Sequence, residues 1–120
     1  MYMRMVITTG SKSARKGAAG EREVMAILRE HGYNVERGGS LSFGEAPDLT
    51  GLPGVHIECK RRETTEIWKW MAQAEADAQR FQDGAPAVFF RRSRSPWCVV
   101  MKLEDWLNLY QAAETGENRK

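Results

Sequence analysis

Residues 47–60 read PDLTGLPGVHIECK, which predicts a short strand, a tight turn and a longer strand. The Leu-Pro-Gly triplet in the middle has the composition of a turn. Val55–Lys60 then alternates apolar and polar side chains, as a half-buried strand does. Since successive side chains on a strand point to opposite faces, His56, Glu58 and Lys60 share one face. An acid and a base therefore lie side by side at the end of this strand.

A second carboxylate, Asp48, opens the preceding short strand. If the two strands pair as a hairpin, the side chains of Asp48 and Glu58 converge. Two neighbouring carboxylates repel each other unless a cation lies between them. Hard oxygen ligands of this kind suit Mg²⁺ or Mn²⁺. The segment therefore predicts a divalent-metal site.

The first helical pattern runs from residue 18 to residue 31 and supplies a third acid. Its apolar residues recur at the spacing of one helix face, and Gly32 ends it. On that helix Glu21 lies within about 50° of the centre of the apolar stripe, whereas Glu23 lies near its polar edge. A carboxylate pointing toward the sheet is costly unless it is paired or bound to a metal. We therefore place Glu21 with Asp48 and Glu58.

Three motifs in this order resemble the PD-(D/E)XK nuclease superfamily. They are the helix start KGAAGERE at residues 16–23, Pro47-Asp48, and the strand IECKR at residues 57–61. The helix start and the loop from Arg37 to Ser40 are similar to archaeal-type Holliday junction resolvases and their phage-encoded relatives. The motifs cover residues 16–62, and the elements after them fit in order only.

The resemblance implies a metal-dependent endonuclease that hydrolyses DNA phosphodiester bonds and leaves 5′-phosphate and 3′-hydroxyl ends. Asp48 and Glu58 would ligate Mg²⁺ or Mn²⁺ together with the backbone carbonyl of Cys59, and Glu21 would complete the metal site. Lys60 would orient the attacking water and steady the phosphate. The implied substrate is branched or four-way DNA. A homodimer is implied as well, because cutting two strands across a junction needs two active sites.

Candidate DNA contacts are basic or hydroxyl side chains at the motif positions, after the acidic strand and on an Arg- and Ser-rich hairpin. They are Lys16, Arg37, Ser40, Arg61, Arg62, Arg91, Arg92 and Arg94. Basic side chains that converge on one face are the electrostatic footprint of a nucleic-acid binder. Hairpin tips are also polar by default, so the hairpin arginines alone do not decide the matter. The net charge of +2, from 18 basic and 16 acidic residues, is mild for a resolvase.

Three other functions stay open on the sequence alone. The chain could be a nuclease that cuts linear ends, flaps or a specific site in DNA. It could be a DNA-binding accessory protein that keeps the fold without catalysis, although the complete set of acids and the lysine argues against this. It could also be a small RNA-processing subunit, which would bind in a way that requires 2′-hydroxyls.

The element order predicts an α/β protein with a mixed central β-sheet flanked by helices, in the order αβββαββα, which is the restriction-endonuclease-like core. We expect a basic arm at residues 1–15, a nuclease domain at 16–113 and a polar, frayed tail at 114–120. One helix, residues 18–31, lies on one side, and a second helix, capped by Thr64 or Thr65 and ending near Phe81, packs beside it. The remaining predicted elements are strands at 33–37, 48–50, 55–60, 87–90 and 97–101, and a last helix at 103–113.

The remaining features of the 120-residue chain are typical of a single intracellular domain. No apolar run is long enough to cross a membrane, and with no signal peptide we expect a cytoplasmic protein. Cys59 and Cys98 are expected as reduced thiols in the core. Trp70, Trp97 and Trp106 are expected mostly in the core, with Trp68 the most exposed tryptophan. His56 is expected as a polar strand residue, and the sequence does not select a supporting glutamine from Gln73, Gln79 and Gln82.

Overall fold

A computed structural model describes residues 17–38 and 46–118 of the chain. The elements follow the predicted order αβββαββα, which is confirmed. They are α1 (residues 17–30), β1 (Glu36–Arg37), β2 (Leu49–Thr50), β3 (Val55–Arg61), α2 (Ile67–Phe81), β4 (Ala85–Arg91), β5 (Cys98–Met101) and α3 (Leu103–Asn118). The predicted arm at residues 1–15 lies outside the described residues.

The strands of the described chain form one five-stranded sheet in the order β1-β2-β3-β4-β5. Strands β3 and β4 are parallel, in a register that places Val55 opposite Ala85 and Arg61 opposite Arg91. The other neighbouring pairs are antiparallel. Parallel neighbours need a crossover connection, which α2 provides, whereas a tight turn suffices between β2 and β3. The sheet is therefore mixed, as predicted.

Strand β3 is central and is covered on both faces. On one face Ile57 is fully buried with Leu49, Val35 and Val24 of α1. The other face of the sheet packs against α2, where Trp70, Met71 and Ala74 form a buried cluster with Val88 of β4. The two helices thus lie on opposite faces of the sheet, and the prediction that they pack side by side was wrong. Both alternating sets of β3 side chains are buried, so each set requires its own helix.

Two glycines permit the close approaches that shape the region around β3. A Cβ atom at Gly20 would lie 2.9 Å from Cβ of Arg61, so α1 passes very near the end of β3. Gly84 has a φ of +132°, and a Cβ there would lie 2.4 Å from the carbonyl carbon of Gly54. The loop after α2 therefore packs directly against the turn before β3. Side chains larger than hydrogen at these positions would push both segments away from the strand.

The boundaries of two helices differ from the predicted ones. Helix α2 begins after Glu66, whose backbone carbonyl accepts the first helical hydrogen bond from Trp70 N at 3.0 Å. Thr64 and Thr65 therefore precede the capping position, and the predicted threonine cap was wrong. Helix α3 continues to Asn118, beyond the predicted end near residue 113. Within this extension the Thr115 hydroxyl donates a hydrogen bond of 2.9 Å to the Gln111 carbonyl one turn back.

Helix α3 and the edge strand β5 leave apolar side chains in solvent. Trp106 is 48% exposed, so its expected place in the core was wrong. Cys98 lies exposed on β5, whereas Cys59 is partly buried against the core, and both are free thiols. The other exposed apolar side chains here are Val99, Leu103, Leu109 and Tyr110. No helix of the described chain has the length and apolarity that crossing a membrane requires.

Candidate functional site

The hairpin of β2 and β3 brings Asp48 and the acidic strand together. Leu49 pairs with Ile57 in antiparallel register. The Oδ2 atom of Asp48 accepts a 2.9 Å hydrogen bond from the backbone N–H of Cys59. This bond fixes the Asp48 carboxylate at the edge of β3, between the backbone positions of Glu58 and Lys60. The convergence expected from residues 47–60 therefore rests on one strand pair and one side-chain hydrogen bond.

The carboxylates at this edge repel one another. Burial, followed by the negative charge of Glu58 and a smaller effect of Glu21, raises the pKa of Asp48 from 3.8 to about 7. The Cys59 hydrogen bond and the Lys60 charge lower that pKa without cancelling the effect. Glu58 itself is only 3% exposed. The three acids face Lys60 and the arginine that pairs with Glu21, Arg37, and the negative charge that remains is one that a divalent cation would neutralise. The donor set therefore fits Mg²⁺ or Mn²⁺.

The backbone carbonyl of Cys59 lies on the same strand edge as Asp48. The N–H and C=O groups of one strand residue point to the same side of the strand, and the Cys59 N–H points to Asp48. Backbone groups of successive strand residues alternate between the two strand edges. Arg62 is an odd number of residues after Cys59, and its N–H accordingly points to the opposite edge, where it bonds to the carbonyl of Arg91 in β4. This alternation supports the predicted use of the Cys59 carbonyl as an oxygen ligand beside the Asp48 carboxylate.

Glu21 has a basic partner in the structure. The Nε atom of Arg37 donates a 2.9 Å hydrogen bond to Oε1 of Glu21, and both side chains are about one-fifth exposed. This ion pair joins α1 to β1 next to the acid cluster. Arg37 was expected to contact DNA, and that contact remains a prediction. In the structure the guanidinium of Arg37 is paired with Glu21.

Lys60 is held by a glutamine of α2. Its Nζ atom donates a 2.9 Å hydrogen bond to Oε1 of Gln73. The sequence left three glutamines of this region as equal candidates, and the structure selects Gln73. Helix α2 lies on the face of β3 from which Lys60 projects, so a glutamine one turn after the buried Trp70 reaches the lysine.

His56 is fully buried, unlike the polar strand residue expected from the sequence. Its Nδ1 atom lies 2.8 Å from Oδ1 and 2.9 Å from Oδ2 of Asp83, in the loop after α2. Its Nε2 atom lies 3.5 Å from Oε1 of Glu58. Sequence reasoning missed Asp83 and also Asp77, which clusters with His56 and Glu58. The sequence feature that could have identified Asp77 is its position four residues after Gln73, which places both side chains on the same side of α2, at the edge of its buried face.

The candidate DNA-binding residues fall into two groups. Arg61 bonds to Glu63 and Ser93, and Arg91 forms a salt bridge of 2.8 Å with Glu23. Arg37 pairs with Glu21. The remaining three arginines of the candidate set, Arg62, Arg92 and Arg94, are exposed. Lys16 and Ser40 lie outside the described residues. The exposed arginines at the end of β3 and on the β4–β5 hairpin are thus the ones whose charge faces solvent.

Comparison with known proteins places these features in a wider context. A family model described as "Phage putative PDDEXK endonuclease" matches residues 12–119. No curated protein matches the sequence. Among solved structures, the chain is similar to Hjc, a Holliday junction resolvase from the archaeal hyperthermophile Archaeoglobus fulgidus, with a TM-score of 0.53 and 22% sequence identity. The match covers 72% of this chain and 72% of that chain, and it shows that the two share a fold.

Proposed function

The chain belongs to the phage PDDEXK endonuclease family, and from this membership we propose that it is a divalent-metal-dependent DNA endonuclease acting on four-way junctions. The resemblance to the PD-(D/E)XK superfamily, read from three sequence motifs, is confirmed by the family match and by the shared fold. The observation that carries the proposed chemistry is the electrostatic cluster of Asp48, Glu58 and Glu21 with Lys60.

The residues that would hold the metal are Asp48, Glu58 and the Cys59 carbonyl, with Glu21 at the margin of the site. When bound, a divalent ion supplies a Lewis acid for the phosphate oxygens and lowers the pKa of a bound water. The excess negative charge at Asp48 supports this assignment, because a buried carboxylate whose pKa is about 7 gains strongly from a nearby cation.

Lys60 and Gln73 form the positioning part of the proposed site. The Gln73 side chain accepts a hydrogen bond from the ammonium group and so restricts the rotamers of Lys60. A positioned cation stabilises the negative charge that develops on the phosphate during hydrolysis. The N–H groups of Lys60 that do not bond to Gln73 can orient the attacking water toward the phosphorus.

The choice of a junction as substrate is supported by the likeness in fold to the A. fulgidus resolvase and by the arrangement of exposed arginines. Arg62 follows β3, and Arg92 and Arg94 lie on the β4–β5 hairpin. The backbone N–H of Arg62 bonds to the carbonyl of Arg91, so the two segments are adjacent. Phosphate contacts from such side chains supply most of the affinity of a nuclease for DNA.

A homodimer would provide the two active sites that symmetric cutting of a junction needs. The exposed apolar face of α3, with Trp106 stacked on Tyr110, supports this assembly. Isolated helices are marginal in water, so a helix of this kind gains stability when a partner covers its apolar face. A C2-symmetric contact between two α3 helices would bury the same side chains on both copies.

The test is cleavage of a labelled four-way DNA junction beside a linear duplex of the same sequence, in Mg²⁺, Mn²⁺ or EDTA. We expect paired nicks near the crossover of the junction in either metal, with little cutting of the linear duplex and none in EDTA. Equal cutting of both substrates would keep the nuclease and reject the junction. Tight binding without cleavage in either metal would indicate a non-catalytic accessory protein.

A further inference from the structure

A second group of metal-ligand side chains lies on the α2 side of β3, next to the acid cluster. Ligand atoms of His56, Glu58 and Asp77 all lie within 4.8 Å of one another. His56 and Glu58 share one face of β3, and Asp77 is on the helix that covers this face. Three side chains from two elements therefore converge. Of these three, only Glu58 belongs to the Asp48 cluster.

The imidazole of His56 is held in the orientation of a metal ligand. Asp83 accepts the Nδ1 proton through oxygens at 2.8 and 2.9 Å. With the proton on Nδ1, the Nε2 atom carries a lone pair that points toward Glu58. A carboxylate that fixes the second nitrogen of a ligating histidine is the usual support for such a ligand.

The Nε2 atom of His56 lacks a hydrogen-bond partner within the described part of the chain. The side chain is fully buried, and Oε1 of Glu58 lies 3.5 Å from this nitrogen. Buried polar atoms are nearly always paired with protein, water or an ion. This unpaired nitrogen is an observation independent of the acidic residues around it, and it points into the same space as their oxygens.

We propose that His56 Nε2, Glu58 and Asp77 form a second divalent-cation site, which shares Glu58 with the Asp48 cluster. One imidazole nitrogen with two carboxylates favours a transition ion such as Mn²⁺ or Co²⁺ over Mg²⁺, because Mg²⁺ prefers oxygen ligands alone. The site is defined by the geometry of the metal-free protein. It therefore stands whether or not the chain cleaves DNA.

The test is a titration of the full chain with Mn²⁺ in the absence of DNA, followed by electron paramagnetic resonance. We expect the wild type to bind two Mn²⁺ per chain and Asp77→Asn to bind one. The matched control is Glu75→Gln, which removes an acid from the same helix outside the cluster and should still bind two. Asp48→Asn should lose the other ion and keep the one at His56.

A second measurement identifies the ligand directly. Pulsed electron paramagnetic resonance of the Mn²⁺-loaded wild type should show the hyperfine coupling of a histidine nitrogen, which His56→Gln removes. This signal decides the question even if Asp77→Asn fails to fold. A wild-type spectrum without nitrogen coupling would overturn the proposal at any stoichiometry. One bound ion with nitrogen coupling would instead retain this site and reject metal binding at the Asp48 cluster. Two bound ions without any DNA cleavage would reject the proposed function and leave this site in place.

Discussion

Nζ of Lys60 lies 2.9 Å from Oε1 of Gln73, and this hydrogen bond connects the central strand to the helix that crosses over it. The bond holds a flexible side chain beside two carboxylates. A lysine carries about 2 kcal/mol of rotamer entropy, so an acceptor that restricts it matters for any role requiring a fixed position. The glutamine is therefore a positioning residue in this account.

Replacing Gln73 should slow cleavage without weakening DNA binding. In Gln73→Ala we expect kcat to fall about tenfold, while Lys60→Ala, which removes the cation itself, should cost about 10²–10³-fold. The measurement is single-turnover cleavage at saturating protein, with DNA affinity determined separately. Gln79→Ala, on the same helix but away from Lys60, is the control and should match the wild type. A rise in Kd with unchanged kcat in Gln73→Ala would assign the glutamine to binding instead.

Asp48→Asn should stabilise the metal-free protein while it abolishes cleavage. The pKa of Asp48 is raised to about 7, so its charged form is unfavourable in the folded state. The neutral carboxyl carries no such cost at low pH, and the wild type loses stability as the pH rises from about 4 through about 7. In EDTA at pH 8 we expect Asp48→Asn to melt about 4 °C higher than the wild type, which corresponds to a gain in the free energy of unfolding on the order of 1 kcal/mol. At pH 4 the variant and the wild type should melt at the same temperature.

The measurement for Asp48 is a thermal melt at both pH values, repeated with Mg²⁺. Since the ion takes over the neutralisation, Mg²⁺ should raise the melting temperature of the wild type more than that of Asp48→Asn. A variant that is less stable than the wild type at pH 8 in EDTA would contradict the electrostatic description of the site.

The arginines of the β4–β5 hairpin should separate into structural and DNA-binding residues. Arg91 holds Glu23 through contacts of 2.8 and 2.9 Å, and its guanidinium lies 5.7 Å from the ring centre of Trp97. Arg91→Ala should therefore lower the free energy of unfolding by about 1–2 kcal/mol. Arg92→Gln and Arg94→Gln should leave the melting temperature unchanged and each reduce the salt dependence of DNA binding by about one counterion.

The readouts for the hairpin are denaturant unfolding and DNA affinity measured over a series of salt concentrations. Arg94 has a φ of 63°, and glutamine keeps the same Cβ atom, so this substitution adds no backbone strain. Unchanged salt dependence in both exposed variants would remove the hairpin from the DNA-binding surface.

The exposed face of α3 should mediate self-association. We expect the wild type to be a dimer at micromolar concentration and Trp106→Glu to be a monomer, because the new charge would be buried against the partner helix. Gln111→Glu introduces the same charge on the other side of α3 and should remain dimeric. Analytical ultracentrifugation distinguishes the two states. A monomeric wild type would mean that this apolar face has another partner.

The sequence was sufficient for the fold class and for the convergence of Asp48 with Glu58. Both depend on local rules, since a tight turn sets the hairpin register and the period of a strand sets which side chains share a face. The choice of Gln73 needed the structure, because three glutamines of α2 and its end had similar spacing. The rotation of the helix over β3 is determined by how Trp70 and Ala74 pack.

The contact between His56 and Asp83 was beyond sequence reasoning for a different reason. The two residues are 27 positions apart, and they meet because Gly84 lets the loop after α2 pack against Gly54. Such non-local packing leaves no periodic signal in the chain. The same limit explains why Trp106 was wrongly expected in the core. The spacing of Trp106 and Tyr110 correctly predicts that they share a helix face, but it does not show what covers that face.

The most direct test of the central claim compares the wild type with Glu58→Ala on one labelled four-way junction, in Mg²⁺ and in EDTA. We expect metal-dependent nicks with 5′-phosphate ends for the wild type. For Glu58→Ala we expect no nicks, with junction binding and folding retained. Cleavage that persists in Glu58→Ala, or that is equal in EDTA and in Mg²⁺, would contradict the assignment of the Asp48–Glu58–Lys60 cluster as a metal-dependent nuclease site.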